Sequence, residues 1–323
     1  MLGIGLTENM TLAAQADIMR VAYENGYESA WCNESRGRDG FMTCQARAAA
    51  VPSMVTGIGV VPVLHRLPLA LAMQTATLSE LTGGKFILGV GSASVAGSRH
   101  TFGIDVKSPL RLMRDYLTAI RSYLAGARVE MDSEVFQIHG DRIDLQPFPL
   151  PAPLYLAALG PKMQELAGEV ADGVLLNWHN PGSLGEVRQR LAAGAARAGR
   201  RPDLVKLSGY VRVSVDDDRE AARAAMAEQA FRYAMIPPYR RHFERMGFKA
   251  ITDRLASQPA EERFTGADEE MLRSTSVYGT PAEVRAALPG ILALYDDPIV
   301  RIVPARPGVE SIQAVIEAGA PAA

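Results

Sequence analysis

The turn Ala158-Leu159-Gly160-Pro161-Lys162 carries residue types that suggest chemistry. It joins an apolar run, Leu154 to Ala158, to a segment with Met163, Leu166, Ala167, Val170 and Ala171 at helical spacing. Gly160 lets backbone approach a ligand closely, and the first turn of the helix presents free N–H groups that suit an anion. The same residues also describe an ordinary tight strand-to-helix turn, and spacing alone does not separate the two readings. Two other polar clusters follow apolar runs: Asn33-Glu34-Ser35-Arg36 and His65-Arg66. A carboxylate at Glu34 could orient a substrate or handle a proton, or simply pair with Arg36 or Arg38. His65 could face a substrate or be a hydrogen-bonded loop histidine. The five histidines are scattered without metal-ligand spacing, and Cys32 and Cys44 alone build neither a zinc site nor a disulfide framework, so no metal is expected.

These residues need a frame. Leu154–Ala158, the helix after it, and Val174-Leu175-Leu176 make a strand–helix–strand unit within 25 residues, which requires a parallel sheet. The same alternation runs along the chain. Strands are expected at Leu2–Leu6, Ser29–Cys32, Val55–Val61, Phe86–Val90, Leu154–Ala158, Val174–Leu176, Val205–Val215 and Ile299–Val303. Nearly all are followed by helices, such as those at residues 12–23, 68–81, 110–124, 184–198 and 219–233. Thr280-Pro281-Ala282-Glu283 reads as a capping box opening a helix that Pro289-Gly290 should kink or end early. Eight such repeats over 323 residues, with no Gly-x-Gly-x-x-Gly after the first strand, predict a single α/β domain: a (β/α)8 TIM barrel over 1–323. Two insertions interrupt it: residues 126–152, with a small hairpin, and residues 235–276, without clean periodicity. In such a barrel the site lies at the C-terminal strand ends. The net charge of -2, without runs of like charge, gives no sign of a nucleic-acid or membrane partner. No apolar stretch is long enough to span a bilayer, and the cysteine usage suits the cytoplasm.

Several strand ends resemble the bacterial luciferase-like monooxygenase superfamily. The matching pieces are Gly26 to Trp31 with Glu34, Thr56 to Pro68, Leu78 to Gly91, and Ala157 to Pro161 with Ala171 to Val174; Thr280 to Val284 is a weaker match. The Gly-Pro form of the fifth strand end is similar to the branch that uses coenzyme F-420, a deazaflavin, whose members include methylene-tetrahydromethanopterin reductase. Relatives use FMN, which stands as the alternative cofactor. The resemblance implies a bulge with a cis peptide at the third strand end, here Gly59-Val60, backing the tricyclic ring. It also implies that Ser92, Ala158, Leu159, Gly160, Pro161, Lys162 and Asn177 border the cofactor, with Lys162 and Asn177 at its phosphate. Glu34 and His65 are the candidate catalytic residues. The arginines after Tyr239 could reach the cofactor's acidic tail or form a solvated face.

The chain departs from the branch's glucose-6-phosphate enzymes at two positions. Their acid–base histidine is matched by Ser35 and their glutamate by Ser94, and neither serine serves as an acid or base near neutral pH. The resemblance thus implies an oxidoreductase moving a hydride between the deazaflavin and a small organic substrate. A reduced-FMN monooxygenase and a flavin-binding barrel without activity are the competing expectations. A homodimer through the apolar helix 68–81 is expected from the same resemblance.

Overall fold

The computed structural model describes residues 1–6, 10–35, 37–92, 95–144, 150, 152–257 and 269–321. In chain order the strands are β1 Gly3–Gly5, β2 Ser29–Cys32, β3 Val55–Pro62, β4 Phe86–Gly91, β5 Val129–Asp132, β6 Gln137–Asp141, β7 Leu154–Ala157, β8 Gly173–Asn177, β9 Lys206–Val215, β10 Ser276–Gly279 and β11 Asp297–Ile302. All but β5, β6 and β10 form a closed parallel ring, β1-β2-β3-β4-β7-β8-β9-β11, with β11 returning to β1. This is the expected TIM barrel, and its eight wall strands are the eight that alternation predicts. β5 and β6 form the antiparallel hairpin of the first insertion. No helix among the described residues is long and apolar enough to cross a membrane.

The lumen is a packed core. Trp31, Ile87, Tyr155, Leu175, Tyr210 and Ile299 fill it, and Tyr155 donates its hydroxyl proton to Asp297 Oδ2 at 2.7 Å. Burying each of these side chains contributes on the order of 2–3 kcal/mol. Trp31 fits only because its neighbours are small: a Cβ on Gly57 would lie 2.6 Å from the indole ring.

Outside the ring, the helices are α1 Leu12–Glu24, α2 Gly40–Ala50, α3 Pro68–Leu81, α4 Val95–Phe102, α5 Pro109–Leu124, α6 Pro161–Val170, α7 Leu184–Arg197 and α8 Arg219–Ala234. Then come α9 Pro237–Phe243, α10 Lys249–Ser257, α11 Glu269–Thr275, α12 Pro281–Leu292 and α13 Val309–Ala318. Three features differ from expectation. Residues 95–102, for which alternation predicts no element, are helical, and His100 sits on that helix. The second insertion is largely helical among its described residues, with its own apolar cluster around Trp178, Phe231, Phe243, Leu255 and Met271. It also ends in a strand, β10, that pairs with the upper half of β9 from Arg212 to Val215. Finally, α12 opens with the predicted capping box but runs through Pro289. Both Pro289 and Arg285, whose carbonyl loses its helical partner, lie on the exposed face, where water can take that bond.

Candidate active site

On one side of the C-terminal mouth, β2 runs into Asn33 and Glu34. Glu34 is buried, and its partner is Arg66, not the expected Arg38; Arg36 lies outside the described residues. The correction has a geometric cause. The short 3-10 turn Val63–His65 swings Arg66 under Glu34, and Tyr116 holds it there through its hydroxyl to the Arg66 carbonyl at 3.1 Å. Arg66 contacts both Glu34 oxygens, one at 3.0 Å, and also pairs with Asp39. The Gly40 N–H donates to Glu34 Oε2 at 2.8 Å. Burial lowers the Arg66 pKa and the Glu34 and Asp39 charges raise it, leaving it above its ordinary value. His65 is exposed, its Nδ1 3.7 Å from Glu34 Oε1 and its ring edge-on to Phe102. Ser35 is exposed. Ser94 lies outside the described residues.

The adjoining strand end has the expected form. The Gly59-Val60 peptide is cis, and the β3–β4 register shifts between Ile58 and Val61. The Tyr210 hydroxyl, from β9, lies 2.8 Å from Gly59 O and 3.1 Å from Asn33 Oδ1. A Cβ on Gly59 would sit 2.3 Å from that hydroxyl, so only glycine fits. The Glu34 N–H donates to Val60 O at 3.2 Å, tying the bulge to β2. Ser92 follows β4 directly and is half-buried.

Further round, Ala158 is buried, and its N–H donates to Leu175 O. Leu159 leads to Gly160, which caps α6 without a side-chain acceptor, and Pro161 occupies the first helical position. Lys162 is exposed and makes no hydrogen bond or ion pair among the described residues. Arg245, from the turn after α9, donates to Leu159 O at 3.3 Å. It therefore stands at this helix start and not on a solvated face alone, whereas Arg240 is paired with Glu244 and Asp253. An uncapped helix start beside two cations is a site for a phosphate. With the bulge at Val60, these residues fit a flat ring carrying a phosphate tail.

Asn177 is placed differently from expectation. It ends β8, but its Oδ1 accepts from Arg212 and its Nδ2 donates to the Tyr239 hydroxyl at 2.7 Å. Both polar atoms are thus held by protein. Arg212, missed in the sequence, is only 3% exposed; its guanidinium lies 4.0 Å over Trp178 and 4.7 Å over Tyr233. Burial pulls its pKa below the usual arginine value. Burial raises the Tyr233 pKa, but the Arg212 and Arg301 charges outweigh it, and the phenol ends below its ordinary value. The signal was present in the alternation of β9, where Ser208, Tyr210, Arg212 and Ser214 share one face. Trp178 takes φ 53°, rare for a bulky residue, and is buried beneath the second insertion; His179 is buried beside it and lines a small cavity with Tyr210, Thr275 and Ser276. The His179 and His242 rings stack at 5.2 Å, and His242 Nε2 lies 2.9 Å from Trp178 O.

A closed parallel barrel with a cis-peptide bulge and an uncapped helix start at its C-terminal mouth defines a (β/α)8 fold whose polar strand ends gather at one end. Comparison with known proteins gives its kinship. The sequence pattern of the luciferase-like monooxygenase family matches residues 3–293, and the chain belongs to that family. It is 30% identical to the 5,10-methylenetetrahydromethanopterin reductase of Archaeoglobus fulgidus, over 87% of each chain. It is 32% identical to that of Methanolobus tindarius, over 91% of each. The coenzyme F-420-dependent tetrahydromethanopterin reductase of Methanopyrus kandleri superposes with a TM-score of 0.81 at 25% identity, covering 98% of this chain and 96% of that one. The protein is an oxidoreductase.

Proposed function

We propose that the protein is a coenzyme F-420-dependent oxidoreductase transferring a hydride between the deazaflavin and a small organic substrate. The observation that carries this reading is the similarity, over about nine-tenths of the chain, to reductases of which a solved example is F-420-dependent. The bound deazaflavin would supply the hydride-carrying carbon. The protein's own residues bind, orient and desolvate it. Gly160, Lys162 and Arg245 would hold the phosphate, with Ala158, Leu159 and Pro161 shaping the turn. Gly59, Val60 and Ser92 would form the platform for the ring. Glu34, fixed by Arg66 and the Gly40 N–H, would set the position of His65 and of the bulge above which substrate lies. Both of its oxygens accept from donors already in place, so the proton-handling group is better sought among His65, Tyr233 and Tyr239.

Parallel titration of the protein with F-420 and with FMN, oxidised and reduced, tests the cofactor. F-420 should bind at least about tenfold more tightly than FMN. The reverse order would overturn the deazaflavin reading in favour of the reduced-FMN monooxygenase. The exposed apolar side chains of Met42 on α2 and Leu67, Met73 and Leu81 at and along α3 support a homodimer through that face. Light scattering should give twice the chain mass, and Met73→Glu should return it to one.

A further inference from the structure

Arg212 and Arg301 are cross-strand neighbours in register on β9 and β11. They stand on the lumen side. The Arg301 guanidinium lies 5.8 Å over the ring of Tyr210, which fills the lumen, and Arg301 Nη1 donates to Leu6 O at 2.7 Å across β1. Arg212 lies on the same face two residues beyond Tyr210. Neither guanidinium forms an ion pair with a carboxylate among the described residues. Their hydrogen bonds there go to an amide, a phenol and a backbone carbonyl: Asn177 Oδ1 and the Tyr233 oxygen for Arg212, and Leu6 O for Arg301.

The contrast with Arg66 across the mouth is sharp, because Arg66 alone pairs with two carboxylates. Burying two like charges side by side is unfavourable unless an anion is taken up between them. Trp178 and Tyr233 stack on Arg212 and offset part of that cost, but they leave the net charge in place. The downward shift of the Tyr233 phenol reports the same positive field. Flat aromatic faces flank the pair, Tyr210 against Arg301 and Trp178 with Tyr233 against Arg212. A planar anion suits such a pair, because guanidinium groups match carboxylate geometry in paired hydrogen bonds. The tetrahedral phosphate has its own place at the start of α6.

We propose that Arg212 and Arg301 seat a carboxylate of the substrate, so that the enzyme acts on a small organic acid. This deepens the hydride-transfer reading and rests on it for the word substrate; the binding site itself does not. The test is calorimetric titration with pyruvate, acrylate and benzoate against their neutral amides, first without cofactor and then with F-420 present. The acids should bind at least about tenfold more tightly than the amides. Arg301→Gln, at the partly exposed member, should abolish that preference, and Arg212→Gln should do the same. F-420 affinity should change by less than about threefold in either variant. Equal binding of acid and amide by the unmodified protein overturns the proposal without needing any variant. So does a loss of F-420 affinity of about tenfold in both variants, because the pair would then serve the cofactor. Carboxylate binding in a protein that ignores F-420 keeps the subsite and removes the cofactor reading.

Discussion

Arg66 ties together one side of the mouth. Its guanidinium serves Glu34 and Asp39, and its carbonyl is held by Tyr116. Replacing it with Met strands Glu34, whose side chain is 5% exposed, with only the Gly40 N–H and nearby His65. Removing one partner of a buried ion pair costs about 3–5 kcal/mol, so urea denaturation of Arg66→Met should show a loss of that size. A loss below about 1 kcal/mol would mean that the pair is energetically peripheral. His179 and His242 make a second prediction at this scale. Burial is the first cause for both, and their pKa values fall to about 3 and about 4. The unfolded chain therefore binds more protons than the folded one between the ordinary histidine value near 6.5 and those lowered values. Stability is fully present above that upper value and is lost as pH falls below it, by about 1.4 kcal/mol per pH unit for each imidazole. Melting temperatures between pH 7 and pH 5 should drop accordingly. His179→Phe, which replaces a ring whose buried Nδ1 has no hydrogen-bond partner among the described residues, should flatten the slope by about half.

Among the elements, α6 and α7 approach each other through glycine. A methyl group on Gly194 would lie 1.9 Å from the Glu165 carbonyl oxygen, and one on Gly168 would lie 2.1 Å from that of Leu191. Gly194→Ala should lower stability by about 3 kcal/mol in thermal unfolding, because backbone has to move. Gly185→Ala on the same helix, with nothing within 4 Å of the new methyl, should instead raise it by about 0.5–1 kcal/mol. Elements whose burial is periodic were legible in the sequence. Ser29–Cys32 and Pro68–Leu81 have the predicted bounds, because an apolar strand and a Pro-started helix announce both ends. β10 was not legible: four residues directly after a helix leave no turn signal to mark them. The site divides in the same way. Gly160 follows from local pattern at the end of a recognised strand, whereas the Gly59-Val60 bulge followed from the family resemblance. Arg212 and Arg301 are 89 residues apart and become one feature only when β9 and β11 pair. Glu34 and Arg66 meet only because a 3-10 turn bends the chain, which apolar spacing does not encode.

For the whole molecule, a net charge of -2 hides a polarised mouth. The β2–β3 side holds two carboxylates around Arg66, the β9–β11 side holds two arginines without a carboxylate partner among the described residues, and the start of α6 adds Lys162 and Arg245. An anionic ligand is drawn to one half of the opening, and that attraction should weaken with added salt. The sharing of β9 between two neighbours bears on how such barrels can be recombined. Its lower half pairs with β8 and its upper half with β10, so the second insertion supplies part of the wall beside Arg212. An exchange of this insertion with a relative is therefore a transplant of wall as well as of covering. Chimaeras cut after Ala234 and after Gly279 carry the strand with its helices and should fold; those cut before Ser276 join a foreign cover to a native strand and should express poorly.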